Sequence, residues 1–170
     1  MDLAAIRNIA EESWNSLTEE QERCHEVAFK CAELLREKGY GVTIMHGLAA
    51  YPKNFLAEEI EKENGDWEFG REVVEHIRSS KVMWFITDHS WCEVGDVVID
   101  RLSYFSLGDI EGSGFLMVHK KSEAKEAGVR YDSRYGFGFS WSGYHFVVVP
   151  RVYPWWLSLI APFRLVKLKV

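Results

Sequence analysis

The stretch DHSWCEVGDVVID, residues 88–100, is where two runs of β-forming residues meet at Gly95-Asp96. A two-residue link of this kind suits a tight hairpin turn, which predicts strands over 81–94 and 97–99. Side chains alternate along a strand, so His89, Trp91 and Glu93 point to one face while Ser90, Cys92 and Val94 point to the other. The returning strand ends on Asp100 and brings it back beside the region of His89. A carboxylate at the end of the apolar run Val97-Val98-Ile99 needs solvent or hydrogen-bond donors, because an unpaired buried charge is costly.

Before this hairpin the chain is mostly helical in pattern. Leu3, Ile6, Ile9, Ala10, Trp14 and Leu17 recur at helical spacing with acids between them, which predicts an amphipathic helix over 3–17. Thr18 and Gln21 have the form of a capping box, and Val27, Cys31, Leu34 and Leu35 then repeat at intervals of three and four, predicting a second helix over 19–38. Lys38 followed by Gly39 supplies a basic last turn and a left-handed cap. Residues 41–45 read as a short strand ending at a turn on Gly47. The acidic segment 51–80 reads as a helical insertion, with helices near 55–63 and 71–77 separated by Asn64-Gly65-Asp66. After the hairpin, 114–119 and 143–149 read as strands, 135–143 as a loop or bulged edge, and 163–170 as a final strand. The predicted class is α+β: long N-terminal helices packed on an antiparallel sheet, in one domain over 1–170.

Composition narrows the function. A chain of 170 residues buries roughly 70% of its unfolded surface and needs no metal or disulfide to hold a core. A net charge of -6 repels a phosphate backbone, and no basic stripe interleaves with aromatics, so nucleic acid is not an expected partner. Seven tryptophans exceed what one small core satisfies easily, which points to a groove or interface. The start MDLAAIRNIAEESW lacks the pattern of a secretory signal, and three cysteines cannot all pair within one chain, so free thiols in the cytoplasm are expected. The apolar stretch 155–163 is too short to cross a bilayer as a helix. With only basic charges beyond residue 150, the tail also has the composition to rest on an anionic membrane surface.

Cysteine catalysis requires a thiolate, a histidine to take its proton and a third polar group to orient the imidazole. Cys24, near the start of the second helix, sits where unpaired N–H groups and the helix dipole lower a thiol pKa. Cys31 shares its face two turns on but lies among Val27, Leu34 and Leu35, and Cys92 points away from His89, so both read as core thiols. Trp91 reads as core or as the wall of a site, and His145, among strand residues, is a second candidate base. The spacing of Cys24, His25, Cys31, His46, His76, His89 and Cys92 does not match a zinc site, and no cofactor motif is present. Taken singly, Cys24, His89 and Asp100 each have a commoner structural explanation: a core thiol, a satisfied strand histidine, a turn carboxylate. Their value is joint.

Cys24-x14-Gly39-x7-Gly47, then His89-Ser90-Trp91 with Glu93-Val94, then Val98-Ile99-Asp100, resembles the transglutaminase-like branch of the papain-like cysteine enzymes. The resemblance covers 24–47 and 85–100. It implies a papain-like/transglutaminase-like fold, catalytic roles for Cys24, His89 and Asp100, and a thioester intermediate formed from a peptide, protein or other acyl substrate. Gln21, three residues before Cys24, is the candidate oxyanion donor by analogy with papain-like relatives. The chain departs from the family in having Asp100-Arg101-Leu102 where Asp-Pro-Thr is common. Hydrolysis as a peptidase or amidase is the expected reaction. Transfer to an amine and a non-catalytic protein-binding module on the same fold are the alternatives.

Overall fold

The structure is a computed structural model and describes residues 2–17, 24–64, 68–102, 115–134, 136–141, 144–150, 159 and 161–169. Helix α1 (Leu3–Asn15) begins where Asp2 Oδ1 accepts hydrogen bonds from the N–H groups of Ala4 and Ala5, at 3.0 and 3.3 Å. Helix α2 (Cys24–Glu37) ends in a Schellman motif. Gly39 takes a φ of 87°, its N–H reaches Arg36 O at 2.9 Å, and the Tyr40 N–H reaches Leu35 O at 3.0 Å. Gly39 thus stops the helix as expected, while Thr18 and Gln21 lie outside the described residues.

Five strands form one antiparallel sheet: β1 (Thr43–Pro52), β2 (Trp84–Val94), β3 (Val97–Leu102), β4 (Phe115–Lys120) and β5 (Arg130–Asp132), in the order β4-β3-β2-β1-β5. Val94 pairs with Val97 across Gly95, whose φ is 60°, so the hairpin turn lies on Gly95-Asp96. Both faces of the sheet are covered. On one face Ala49, Tyr51, Leu102 and Met117 pack with Leu56, Ala57 and Ile60 of α3 (Lys53–Asn64) and Val73, Val74 and Ile77 of α4 (Glu68–Ser79). On the other, Cys92, Val94, Val97, Ile99 and Leu116 pack with Ile6 and Ala10 of α1 and Ala28, Cys31, Ala32 and Leu35 of α2. A strand buried on both faces reads as continuously apolar, which is why β3 opens Val-Val-Ile and why every one of its residues is buried, Asp100 and Arg101 included.

The class is therefore mixed α+β with a five-stranded antiparallel sheet, but the cover differs from the expectation of long N-terminal helices. Helices α1 and α2 span 13 and 14 residues, and α3 and α4 span 12 each, so four helices of ordinary length share the two faces. The short helix α5 (Lys121–Glu126) and strand β5 escaped the sequence reading, being only 6 and 3 residues long. A second antiparallel sheet holds β6 (Phe137–Trp141), β7 (Tyr144–Pro150) and β8 (Phe163–Lys169) in that order. Residues 137–141 form a regular edge strand, paired one to one from Phe137↔Val148 to Trp141↔Tyr144, in place of a loop or bulge. Val147 and Val149 of β7 are buried, with Phe29 of α2 packed against them. Among the described residues no helix is long and apolar enough to cross a membrane.

The expected turn at Gly47 is corrected by the structure: β1 runs straight through it, with Gly47 paired to His89. Its glycine answers a close approach instead. A Cβ there would lie 2.0 Å from Asp132 O and 2.9 Å from Ser133 Cα, and one on Gly136 would lie 2.0 Å from His46 O. Gly47→Ala is expected to lower stability by about 1–3 kcal/mol through overpacking. Gly41→Ala, where an added Cβ meets nothing within 4 Å, is expected to change it by less than about 0.5 kcal/mol. Urea denaturation of the two variants measures the contrast, and equal midpoints would contradict the close-approach explanation.

Candidate active site

The alternation of β2 places His89 and Trp91 on the face covered by α3 and α4. One step beyond the last β2–β3 pair, Cys92↔Ile99, Trp91 stands opposite Asp100, so the carboxylate shares that face. Asp100 is 0% exposed and His89 1%. A carboxylate buried this deeply requires donors on both oxygens, and it has them. His89 Nε2 hydrogen-bonds Oδ1, while the hydroxyls of Tyr51 and Tyr131 each donate to Oδ2 at 2.6 Å. Tyr51 belongs to β1 and Tyr131 to β5, and the pairing Ala49↔Tyr131 sets the two phenols on the same face. Their rings meet edge to face at 6.1 Å, and Trp91 packs against Tyr131 at 5.0 Å.

These contacts set the direction in which each group's pKa moves. Burial would push the Asp100 carboxyl up, but the charge and hydrogen bond of His89 and the two tyrosine hydrogen bonds outweigh it and hold the group below its ordinary 3.8. Burial, reinforced by the Asp100 charge, pushes both tyrosines well above their usual value, so they remain donors. For His89, burial favours the neutral ring, yet the charges of Asp100 and Cys24 and hydrogen bonds to both raise its pKa well above 6.5.

Cys24 is the first described residue of α2, which lies on the opposite face of the sheet. Its thiol nevertheless interacts with His89. The register of β2 with β3 stops at Cys92↔Ile99 although both strands continue, and near that parting Cys24 shares a cavity with Ser90, Cys92, Ile99 and Arg101. The cavity, about 10 Å³, is close to the space of a single water. Because His89 Nε2 is committed to Asp100, Nδ1 is the nitrogen left for the sulfur; among the described residues it has no hydrogen bond of ordinary geometry. Cys24 is half-buried. Burial pushes its thiol up, but the charges of His25 and His89 and hydrogen bonds to both bring it well below the ordinary value.

No protein-family model, no curated protein and no solved structure matches the chain. Function must therefore be read from these side chains. Of the three residues singled out from sequence, His89 and Asp100 are joined by a hydrogen bond, and Cys24 lies close enough to His89 for each to shift the other's pKa. Gln21 lies outside the described residues, and His145 lies in β7 opposite Leu168 with its side chain likewise outside them. Cys31 and Cys92 are buried, and Cys92 Sγ donates to Ala28 O at 3.0 Å. Among the described residues no group of three or more His, Cys, Asp or Glu side chains is placed to hold a metal ion. Arg101, the departure next to Asp100, points to the α1 face and lays its guanidinium over the Trp14 ring.

Sequence reasoning missed Tyr51 and the meeting of Ser90 with His25 and His46, whose Nδ1 atoms lie 2.6 and 2.5 Å from its hydroxyl oxygen. The alternation of β2 did put Ser90 on a covered face, where a hydroxyl needs a partner, and that was the available signal. Tyr51→Phe and Tyr131→Phe are each expected to cost about 1.5–3 kcal/mol at neutral pH, the worth of one hydrogen bond to a charged group. Because the folded pKa of Asp100 is depressed, the stability it contributes is present above its unfolded value and is lost as pH falls through the folded one. The penalty of either substitution should accordingly shrink in acid. Urea denaturation at neutral and acidic pH measures it, and a penalty independent of pH would contradict the assignment.

Proposed function

We propose that the chain is a cysteine-dependent acyl hydrolase, a peptidase or amidase, acting through Cys24, His89 and Asp100 on a domain of the transglutaminase-like or papain-like kind. The observation that carries this reading is the buried His89 ring, held at Nε2 by Asp100 and left with Nδ1 toward the Cys24 thiol. A nucleophile at a helix start, a base on one strand and an orienting carboxylate on the neighbouring antiparallel strand support the resemblance in the sequence. The Asp100-Arg101 junction, the best argument for a decayed binding module, has a packing explanation in Trp14.

The mechanism follows from the protonation states. His89 Nδ1 takes the proton of Cys24 Sγ, and the thiolate attacks the carbonyl carbon. Backbone N–H groups at the start of α2 stabilise the oxyanion as it forms. When the tetrahedral adduct collapses, the C–N bond breaks and the leaving amine takes the proton from His89, leaving a thioester on Cys24. His89 then deprotonates water, which attacks the thioester, and the sulfur departs as thiolate. Asp100 stays ionised throughout and holds the ring at Nε2.

The test is reaction with an activated acyl ester such as p-nitrophenyl acetate, read as nitrophenol release and as acetyl mass on each cysteine. Wild type is expected to give a burst and a transient acetyl group on Cys24. His89→Ala is expected to lower the acylation rate by about 10²–10⁴-fold, the usual worth of a general base, and Asp100→Asn to lower it as well. Added amine that captures the acetyl group faster than water does would shift the reading to acyl transfer. Acylation shared equally among Cys24, Cys31 and Cys92, or indifferent to His89, would overturn it.

A further inference from the structure

Asp100 is linked to a second histidine on its own face of the sheet. His119 of β4 pairs with Val98, two residues before Asp100 along β3, so alternation sets its ring on the face closed by α3 and α4. There its Nε2 lies 3.4 Å from the Tyr131 hydroxyl oxygen, and the same hydroxyl donates to Asp100 Oδ2 at 2.6 Å. Two rings hold the histidine in that place, Tyr131 at a centroid distance of 6.2 Å and Phe55 of α3 edge to face at 6.4 Å. Asp100 and His89 are buried, whereas His119 is half-buried, so the network runs from the closed interior to a ring that reaches solvent.

Hydrogen counting gives the direction of these bonds. An ionised carboxylate only accepts, and a phenol carries one hydrogen. The 2.6 Å contact therefore uses the Tyr131 hydrogen, which leaves the phenol oxygen able only to accept from His119. The 3.4 Å contact is a hydrogen bond when His119 Nε2 bears hydrogen, and sets lone pair against lone pair when it does not. Burial outweighs the carboxylates nearby and holds His119 below its ordinary 6.5, so at neutral pH the ring is neutral with its one hydrogen on Nε2. His119 donates to Tyr131 and Tyr131 to Asp100 Oδ2, while His89 donates to Oδ1 of the same carboxylate. Donors in series strengthen one another, so the His119 N–H makes the Tyr131 hydroxyl a better donor. Charge drawn to Oδ2 is charge withheld from His89 at Oδ1.

We infer that His119 is a positioning residue for His89: its Nε2–H orients the Tyr131 hydroxyl on Asp100 Oδ2 and so moderates how strongly the carboxylate holds the imidazole at Oδ1. This rests on the reading of His89 as the base and extends it. The link from His119 to His89 runs through hydrogen bonds between named atoms and does not involve Cys24. An imidazolium held too tightly by its carboxylate gives up its proton reluctantly, so a donor that draws charge to Oδ2 favours the step in which His89 protonates the leaving amine. The ionisable groups around His119 are Tyr131 on β5, Asp100 on β3, Glu59 on α3, Glu123 on α5 and Arg7 on α1. All of them stay in place when His119 alone is changed.

The experiment is a nitrogen NMR titration of the His89 ring in wild type, His119→Leu, His119→Gln, Tyr131→Phe, the double variant Tyr131→Phe with His119→Leu, and Cys24→Ser. His119→Leu removes the donor and is expected to raise the His89 midpoint by about half a pH unit, which is about a threefold change in proton affinity. His119→Gln carries an amide N–H to the position of Nε2 and is expected to keep the wild-type midpoint. On the Tyr131→Phe background His119→Leu is expected to add nothing, because both residues act through one bond. A Leu midpoint that coincides with wild type, Leu and Gln midpoints that shift together, or a Leu shift undiminished on Tyr131→Phe overturns the inference. Cys24→Ser reports separately on the proposed function: an unchanged His89 midpoint there sinks the thiolate–imidazole pair, whatever the His119 variants show. Should His119→Leu fail to fold, the wild-type ring decides. Hydrogen on His119 Nε2 at neutral pH supports the inference, and hydrogen on Nδ1 with Nε2 bare overturns it.

Discussion

The Asp100 carboxylate is the constraint on which the site depends. An ionised carboxylate with no exposed surface persists only when its oxygens are hydrogen-bonded and its charge is met nearby. Here three donors converge from β1, β2 and β5 on a residue of β3. The same contacts that keep the charge inside the protein therefore tie four of the five strands to one point. They also orient the His89 ring, since a ring held at Nε2 by a fixed anion can present only Nδ1 elsewhere.

The two faces of the sheet divide the chemistry. Asp100, His89, Tyr51 and Tyr131 lie on the face closed by α3 and α4, while Cys24, His25, Ser90 and His46 belong to the face closed by α1 and α2. Contact between the two sets occurs near the parting of β2 and β3, where the start of α2 meets His89. Arg101 secures that region from the second face by packing on Trp14. Adjacent residues on a strand covered on both faces thus serve different ends, Asp100 the imidazole and Arg101 the position of α1.

Much of this was legible in the sequence where the signal was local. The Gly95-Asp96 turn fixed the hairpin, alternation along 88–94 assigned faces correctly, and Gly39 marked the end of α2. What stayed hidden depended on contacts distant in sequence. Gly47 looked like a turn because close approach of another backbone leaves the same residue as a left-handed turn does, and only the position of Asp132 tells them apart. Tyr51 lies 49 residues from Asp100 in the chain and Tyr131 lies 31, with no motif linking them. The acidic segment 51–80 read as a helical insertion, and its apolar residues pack into the core on one face of the sheet.

The central claim is an ion pair between Cys24 and His89. Its most direct test is the ultraviolet absorbance of thiolate against pH in wild type and His89→Ala, each with its own Cys24→Ser counterpart as blank. The account predicts one thiolate equivalent appearing well below the ordinary cysteine value of about 8.5 in wild type, with that step moved upward when His89 is removed. Thiolate that appears only near the ordinary value in both proteins would contradict it.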